Sequence, residues 1–214
     1  MKLNLIHWTL GTAAALALAV NAQAADNTVR LSSKPGSKVF MDGTSSIHDW
    51  TVEGAIISGA FEVEPEFLTD LSLKSVKSLM TKDVNPKSEL SIPVRSLKSG
   101  KQKMDEIMLD ALKSSEHKAI VFKLNEMVVK GDVPASGAAK FDVKGDLTVA
   151  GTTKPCEMEV ALERVAGGRV KFIGSQKLKM TDFGIAPPSP EIPGMDRIKT
   201  GDDITIRFEW LVGK

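Results

Sequence analysis

Between Phe141 and Leu162 the chain reads FDVKGDLTVAGTTKPCEMEVAL. Phe141, Val143, Leu147 and Val149 are apolar, and Asp142, Lys144, Asp146 and Thr148 between them are polar. Beyond Ala150-Gly151-Thr152-Thr153 the alternation resumes, with Cys156, Met158, Val160 and Leu162 set against Glu157, Glu159 and Glu163. Period two on both sides of a Gly-containing turn predicts an antiparallel hairpin with one wet face. Leu147, Val149, Met158, Val160 and Leu162 are expected inside and the three glutamates outside; a one-residue slip would reverse every one of them. The dry face must be covered by the rest of the chain or by a ligand.

The flanking sequence has the same character. Asn27 to Leu31 reads as an opening edge strand, Lys38 to Ser46 as a second strand, and WTVEGAIISGAFEV from Trp50 as a β-rich run in which Gly54 and Gly59 mark bends. Leu90 to Val94 alternates, with Pro93 expected at an edge or bulge because it cannot donate to a ladder. Ile120, Phe122 and Leu124 alternate with Val121 and Lys123, and Gly167-Gly168 turns into Arg169 to Met180. In the last strand, Ile204, Ile206, Phe208, Trp210 and Val212 face one way and Asp203, Thr205, Arg207 and Glu209 the other. One segment departs from this pattern. In Lys101 to Ser115, Met104, Ile107, Met108, Ala111 and Leu112 fall at helical spacing, Ser99 is placed as N-cap, and Asp105 and Glu106 suit the positive helix start. Many strands, one helix and closely spaced turns predict a mainly all-β chain with a closed antiparallel sheet.

Charge and leader bound the function. Met1-Lys2, the apolar run Leu10 to Val20 and the small-x-small site Ala22-Gln23-Ala24 form a secretory signal-peptide pattern, with cleavage placed after Ala24. Residues 25–214 then form one domain, and no later run is apolar enough to span a membrane. Losing Lys2 from the 28 basic residues leaves a formal net charge of zero, without the basic excess of a nucleic-acid binder. A single cysteine, Cys156, allows no internal disulfide and reads as a buried small hydrophobe. No metal-ligand spacing, phosphate loop or nucleophile elbow is present.

Six stretches occur in a specific order: SSIHDW (Ser45–Trp50), SIPVRSLKSG with MDEIMLDAL (Ser91–Gly100, Met104–Leu112), IVFKL (Ile120–Leu124), GDLTVAGTTK (Gly145–Lys154), TDFGI (Thr181–Ile185) and GDDITIRFEW (Gly201–Trp210). Together they resemble the YceI-like, or polyisoprenoid-binding, family of secreted bacterial proteins over residues 27–212. The resemblance implies a lipocalin-like, extended eight-stranded antiparallel β-barrel with one amphipathic helix, a long isoprenoid chain inside it, and no enzymatic role. It implies no cofactor beyond such a bound isoprenoid lipid or quinone-like chain. The candidate lining is then Trp50, Ile92, Val94, Met104, Ile107, Met108, Leu112, Phe122, Leu124, Phe141, Leu147, Met158, Val160, Leu162, Phe172, Phe183, Phe208 and Trp210, with His48 and Asp49 as polar rim residues.

His48-Asp49-Trp50 is the one constellation with catalytic residue types, but adjacent strand residues point to opposite faces. They read better as a rim in which His48 and Asp49 satisfy backbone groups and Trp50 plugs one end. Lys154, Lys177 and Lys179 are candidates to meet a lipid head group at a barrel mouth. The expected function is a periplasmic or secreted carrier holding an isoprenoid lipid. An enzyme acting on such a lipid through His48 and Asp49, and a solid barrel used as a protein-interaction module, are the alternatives. Oligomeric state stays open, a homodimer being one option.

Overall fold

The alternating run builds the hairpin it predicts. Strands β7 (Ala139–Val149) and β8 (Thr152–Val165) pair antiparallel from Ala139↔Leu162 to Val149↔Thr152. The computed structural model describes residues 27–214 apart from Val84, Ser136, Ile192 and Met195, so the expected leader at residues 1–24 lies outside the described residues. The turn is shorter than the four residues read from sequence: Ala150 (φ 48°) and Gly151 (φ 82°) alone make it. Two successive left-handed residues are the type I′ geometry whose twist matches that of the strands it joins. Val149, Val160 and Leu162 are buried and Leu147 and Met158 half-buried, while Glu157 and Glu159 are exposed and Glu163 half-exposed on the outside.

Before this hairpin come β1 (Val29–Ser33), β2 (Lys38–Ser45), β3 (Trp50–Gly54), β4 (Ser58–Val63), a single helical turn α1 (Glu66–Thr69), β5 (Lys87–Pro93), helix α2 (Gln102–Ala111) and β6 (Ala119–Val129). After it come β9 (Arg169–Lys179) and β10 (Thr200–Gly213). Every pairing between strands is antiparallel. The ring runs β1-β4-β5-β6-β7-β8-β9-β10 and returns to β1, an eight-stranded barrel, with β2 and β3 continuing from β10. Its outer face carries ion pairs, such as Lys130 with Asp142 (3.1 Å) and Glu159 (3.0 Å), and its inner face is apolar. That is the reverse of a membrane-spanning barrel. No helix among the described residues is long and apolar enough to cross a membrane.

Three expectations are corrected. The opening strand is not an edge: β1 is the closing strand, bonded to β4 through Val29–Ser32 and to β10 at Ser32↔Gly213 and Ser33↔Val212. The WTVEGAIISGAFEV run is two strands, because the chain leaves β3 at Gly54 and joins a different part of the ring at Ser58. The helix spans Gln102–Ala111 rather than Lys101–Ser115, and Lys101, not Ser99, occupies the cap position. Ser99 still serves the start, since its N–H and Oγ–H donate to Asp105 Oδ1 at 2.7 and 2.6 Å while its Oγ accepts from Lys101 N–H. The helix stops because Lys113 turns left-handed (φ 50°) and Ser114 N–H bonds back to Leu109.

One end is closed by the β4–β5 connection. Phe67 of α1 is fully buried and packs tilted against Phe61 of β4 with ring centroids 5.3 Å apart, and Phe61 meets Phe172 of β9 at 5.1 Å. Arg164 of β8 lies over the Phe67 ring and donates to the Phe67 carbonyl at 3.0 Å, tying plug to wall. Leu73, Val76 and Leu79 complete the plug, with Leu71 left in solvent at 64% exposure. The loop is shaped by Asp70, whose carboxylate accepts from the N–H and Oγ–H of both Ser72 and Ser75. Those four donors, the Ser72 hydroxyl foremost, hold the Asp70 carboxyl well below the usual carboxylate range. On the far wall, Arg207 of β10 grips Asp42 of β2 in a fork (2.7 and 3.1 Å), and Thr51 of β3 donates to the same carboxylate at 2.7 Å.

Phe67→Ala should destabilise the fold by about 3–5 kcal/mol in urea unfolding, as for a fully buried aromatic. Leu71→Ala should stay within about 0.5 kcal/mol. A depressed carboxylate contributes stability above its unfolded pKa and loses it as pH falls through its folded one. Asp70→Asn should therefore melt below the parent at neutral pH, and the two curves should converge only in strong acid. Equal melting temperatures at pH 7 would remove Asp70 from the plug's stability.

Candidate functional site

Inward positions alternate along every strand, so the barrel interior is set by what stands at them. At the closed end these are large and interlocked: Phe61, Phe67, Phe141, Leu162, Val63 and Val212 are all within 2% of complete burial. Above them the packing opens into a cavity of about 470 Å³, within the ~300–1,000 Å³ span of small-molecule sites. Its floor is aromatic. Phe61 and Phe172 meet there, and Phe172 stacks at 5.4 Å on Trp210 of β10, whose Nε1–H is satisfied by Ser33 Oγ at 2.8 Å.

The walls come from β2, β3 and β5 to β10, with Val52 and Trp50 supplied by β3. Leu90 and Ile92 of β5, Ile120, Phe122 and Leu124 of β6, and Val143, Leu147 and Val149 of β7 line one side. Cys156, Met158 and Val160 of β8, Leu178 of β9, Ile204, Ile206 and Phe208 of β10, and Val39 and Met41 of β2 line the other. Two inward glycines make room for rings from neighbouring strands. A Cβ on Gly145 would stand 2.4 Å from the Phe122 ring, and one on Gly174 would stand 2.5 Å from that of Phe208. The wide aromatic side chains therefore lie flat along the wall instead of blocking the lumen. Helix α2 forms the remaining wall with Met104, Ile107, Met108, Ala111 and, just beyond it, Leu112.

The open end is framed by the β2–β3 turn, the start of α2 and the β9–β10 connection, through Ile47, His48, Lys101, Lys103, Pro188, Pro190, Ile198 and Thr200. Ile47, 49% exposed, is the apolar side chain that stands furthest into solvent there. His48 is exposed and its Nδ1 lies 2.8 Å from the Asp49 backbone carbonyl, while the Ser45 hydroxyl caps the turn by donating to the His48 carbonyl at 2.7 Å. The Asp49 carboxylate does not orient the imidazole, and the pair makes no dyad. Trp50 lies across Gly43 and donates to the Thr44 carbonyl at 3.0 Å, so it lines the mouth rather than plugging it. Burial foremost, then Glu157, pushes the Cys156 thiol up, away from the thiolate that a nucleophile needs. Among the described residues no three His, Cys, Asp or Glu side chains converge as a metal site.

Of the lining candidates, Trp50, Ile92, Met104, Ile107, Met108, Leu112, Phe122, Leu124, Leu147, Met158, Val160, Phe172, Phe183, Phe208 and Trp210 border the cavity. Val94, Phe141 and Leu162 do not. Phe141 and Leu162 face inward below the floor, where packing is solid, and Val94 follows Pro93 into a tight 3-10 turn (Val94–Ser96) that breaks the β5 alternation. His48 reaches the rim and Asp49 stays outside it. Lys154, Lys177 and Lys179 are not at the mouth; they stand on the outer wall around a hollow between β8 and β9. Sequence reading missed Val39 and Met41, which alternation in β2 would have supplied, and Pro188, Pro190 and Ile198, for which no periodic signal exists. It also missed Ser88, which borders the cavity and whose buried hydroxyl has no hydrogen-bond partner among the described residues.

Comparison with known proteins places this geometry. A UPF0312 protein of Vibrio parahaemolyticus is 29% identical over 182 residues, covering 82% of this chain and 85% of its own. Another from Pseudomonas savastanoi pv. phaseolicola is 29% identical over 211 residues, covering 92% and 94%. The fold is shared with Burkholderia cenocepacia BcnA (TM-score 0.59, 18% identity, 83% of this chain and 96% of that one). It is shared too with a polyisoprenoid binding domain from Saccharophagus degradans (TM-score 0.58, 12% identity, 86% and 97%). The profile of the YceI-like domain matches residues 36–211, from the β1–β2 turn to near the end of β10 and so every strand but β1, and the chain belongs to that family.

Proposed function

We propose that this chain is an exported carrier that holds the hydrocarbon chain of an isoprenoid lipid inside its barrel and does no chemistry on it. The observation that carries this reading is the cavity itself: continuous, apolar on every wall, floored by stacked aromatics and open at one end. The leader pattern at residues 1–24 supports export to the periplasm or beyond. Family membership and the likeness to a polyisoprenoid binding domain support the ligand class.

The lining favours a flexible aliphatic ligand over a flat one. Leu, Ile, Val and Met dominate it, and the methionines of α2 adapt to irregular shapes. At about 0.3 kcal/mol per non-hydrogen atom, a ligand of roughly 30–40 such atoms gains on the order of 10 kcal/mol without any special polar contact. The unpartnered Ser88 hydroxyl gives the lumen one donor for a ligand oxygen near the floor. Against catalysis stand the unpaired geometry of His48 and Asp49 and the protonated, buried Cys156. A solid interaction module is disfavoured by the void.

Ile206→Trp, at mid-depth on β10, should fill the lumen. Binding of a fluorescent prenyl alcohol should weaken at least about tenfold while the stripped protein melts no lower than the parent. Organic extraction of protein purified from its native source, followed by mass spectrometry, should release a prenyl lipid or quinone from the parent and much less from the variant. Unchanged binding would place the ligand outside the barrel. His48→Ala should leave binding within about threefold and extracted lipid unaltered in structure; a lipid converted by the parent and not by this variant would make the protein an enzyme.

A further inference from the structure

Strands β8 and β9 begin as a tight hairpin and then part. Their ladder runs from Val165↔Arg169 to Val160↔Gly174 and stops there, although both strands continue. Above that point Thr152–Glu159 bond only to β7 and Ser175–Lys179 only to β10. Two backbone edges thus face each other across an unladdered seam, an arrangement proteins avoid unless something occupies it. Pro155, which has no N–H to offer a second neighbour, lies in this stretch of β8.

Side chains of the seam belong to two spaces at once. Cys156, Gln176, Leu178 and Phe183 border the lipid cavity on the inside and a hollow on the outer wall. Lys154, Lys177 and Lys179 rim that outer hollow together with Asp182 and Asp203. Lys179 is held by Asp203 at 2.9 Å, while Lys154 and Lys177 make no ion pair among the described residues. Phe183, only 4% exposed, is carried into the seam by a three-residue 3-10 turn, Thr181–Phe183. One carboxylate anchors that turn: Asp202 accepts from Thr181 N–H at 2.9 Å and from Thr181 Oγ–H at 2.7 Å. Gly184, left-handed at φ 67°, ends it.

We infer that this seam is a lateral portal to the cavity with Phe183 as its stopper. An amphiphile passes its hydrocarbon chain between β8 and β9 while its polar head stays in the outer hollow beside Lys154 and Lys177. The physical reason is the lumen's polarity. Drawing a polar head down a cavity with apolar walls strips it of water and returns few hydrogen bonds. Like the mouth, a side opening lets the chain enter without that step, and this one lies beside Lys154 and Lys177, which make no ion pair among the described residues. The other coverings of the barrel are far larger: the plug of α1 with Leu73, Val76 and Leu79 at the closed end, and the whole of α2. The 3-10 turn, by contrast, can move aside without breaking a strand ladder or unseating a helix.

This inference rests on the lipid-binding reading. Thr181→Val removes the Oγ–H bond that anchors the turn and touches neither cavity wall nor floor; Lys177→Trp sets bulk over the outside of the seam. The probe is farnesol carrying an N-methylanthraniloyl fluorophore, delivered from phosphatidylcholine vesicles and followed by stopped flow. A gate alters the barrier and not the end states, so Thr181→Val should raise association and dissociation rates together, about tenfold, with Kd within about threefold. Asp202→Asn should do the same, which guards against a folding defect peculiar to one variant. Lys177→Trp should slow association by about tenfold, whatever its effect on Kd. Rates equal to the parent's in all three variants would overturn the portal and leave the mouth at Ile47 and Ile198 as the route. Failure of the parent to take up the probe at all would overturn the lipid-binding reading instead.

Discussion

A sheet of strands has no exposed edge only when its first and last members meet, and here that meeting depends on β1. Its first four residues pair with β4 on one side and its last two with the final residues of β10 on the other, so the first and last strands close the wall. The contact with β10 is short, two register pairs, and it is reinforced by Lys34 N–H to the Leu211 carbonyl (2.8 Å) and Leu211 N–H to Ser37 Oγ (3.1 Å). Closure costs chain entropy because the partners lie far apart in sequence. What offsets it is the apolar packing at the same end, where Leu31 and Val212 are fully buried beside the Phe61, Phe67 and Phe172 cluster.

Placing the solid core at one end leaves the other end free to be hollow. A uniformly packed barrel would bury more apolar area, and an empty apolar lumen forgoes the dispersion contacts that its walls would otherwise make. The structure keeps its walls upright without a filled centre by three means. Rings lie flat over Gly145 and Gly174, the Asp42–Arg207–Thr51 bonds tie three strands from outside, and α2 covers the lumen where no strand stands. The exposed pairs around Lys130, Lys140 and Glu159 add little each; they keep the outer surface wet and so define which face is the inside.

The polar groups of the lumen are correspondingly few and neutral, apart from the lysines and His48 at the mouth. For the carrier proposed above, such an interior would select by shape and length of hydrocarbon rather than by head group. Any preference for the head must be set at the openings, where Lys101 and Lys103 stand at one and Lys154 and Lys177 at the other.

Alternation determined the hairpin of β7 and β8, the inward face of β10 and the apolar stripe of α2, because side-chain direction in a strand or helix follows from local periodicity alone. The family resemblance in the order of SSIHDW, GDLTVAG, TDFGI and GDDITIRFEW reached the barrel itself. Neither reached the pairing partner of β1, the division of the Trp50–Val63 run between two strands, or the boundary between solid and hollow interior. Phe141 and Phe122 both stand on inward faces, yet one is core and the other borders the cavity. The parting of β8 from β9 was equally invisible, since both strands stay ladder-bonded on their other sides and keep their periodicity. Local sequence determines which way a side chain points; what it meets there is decided by segments far away in the chain, through closure of the ring.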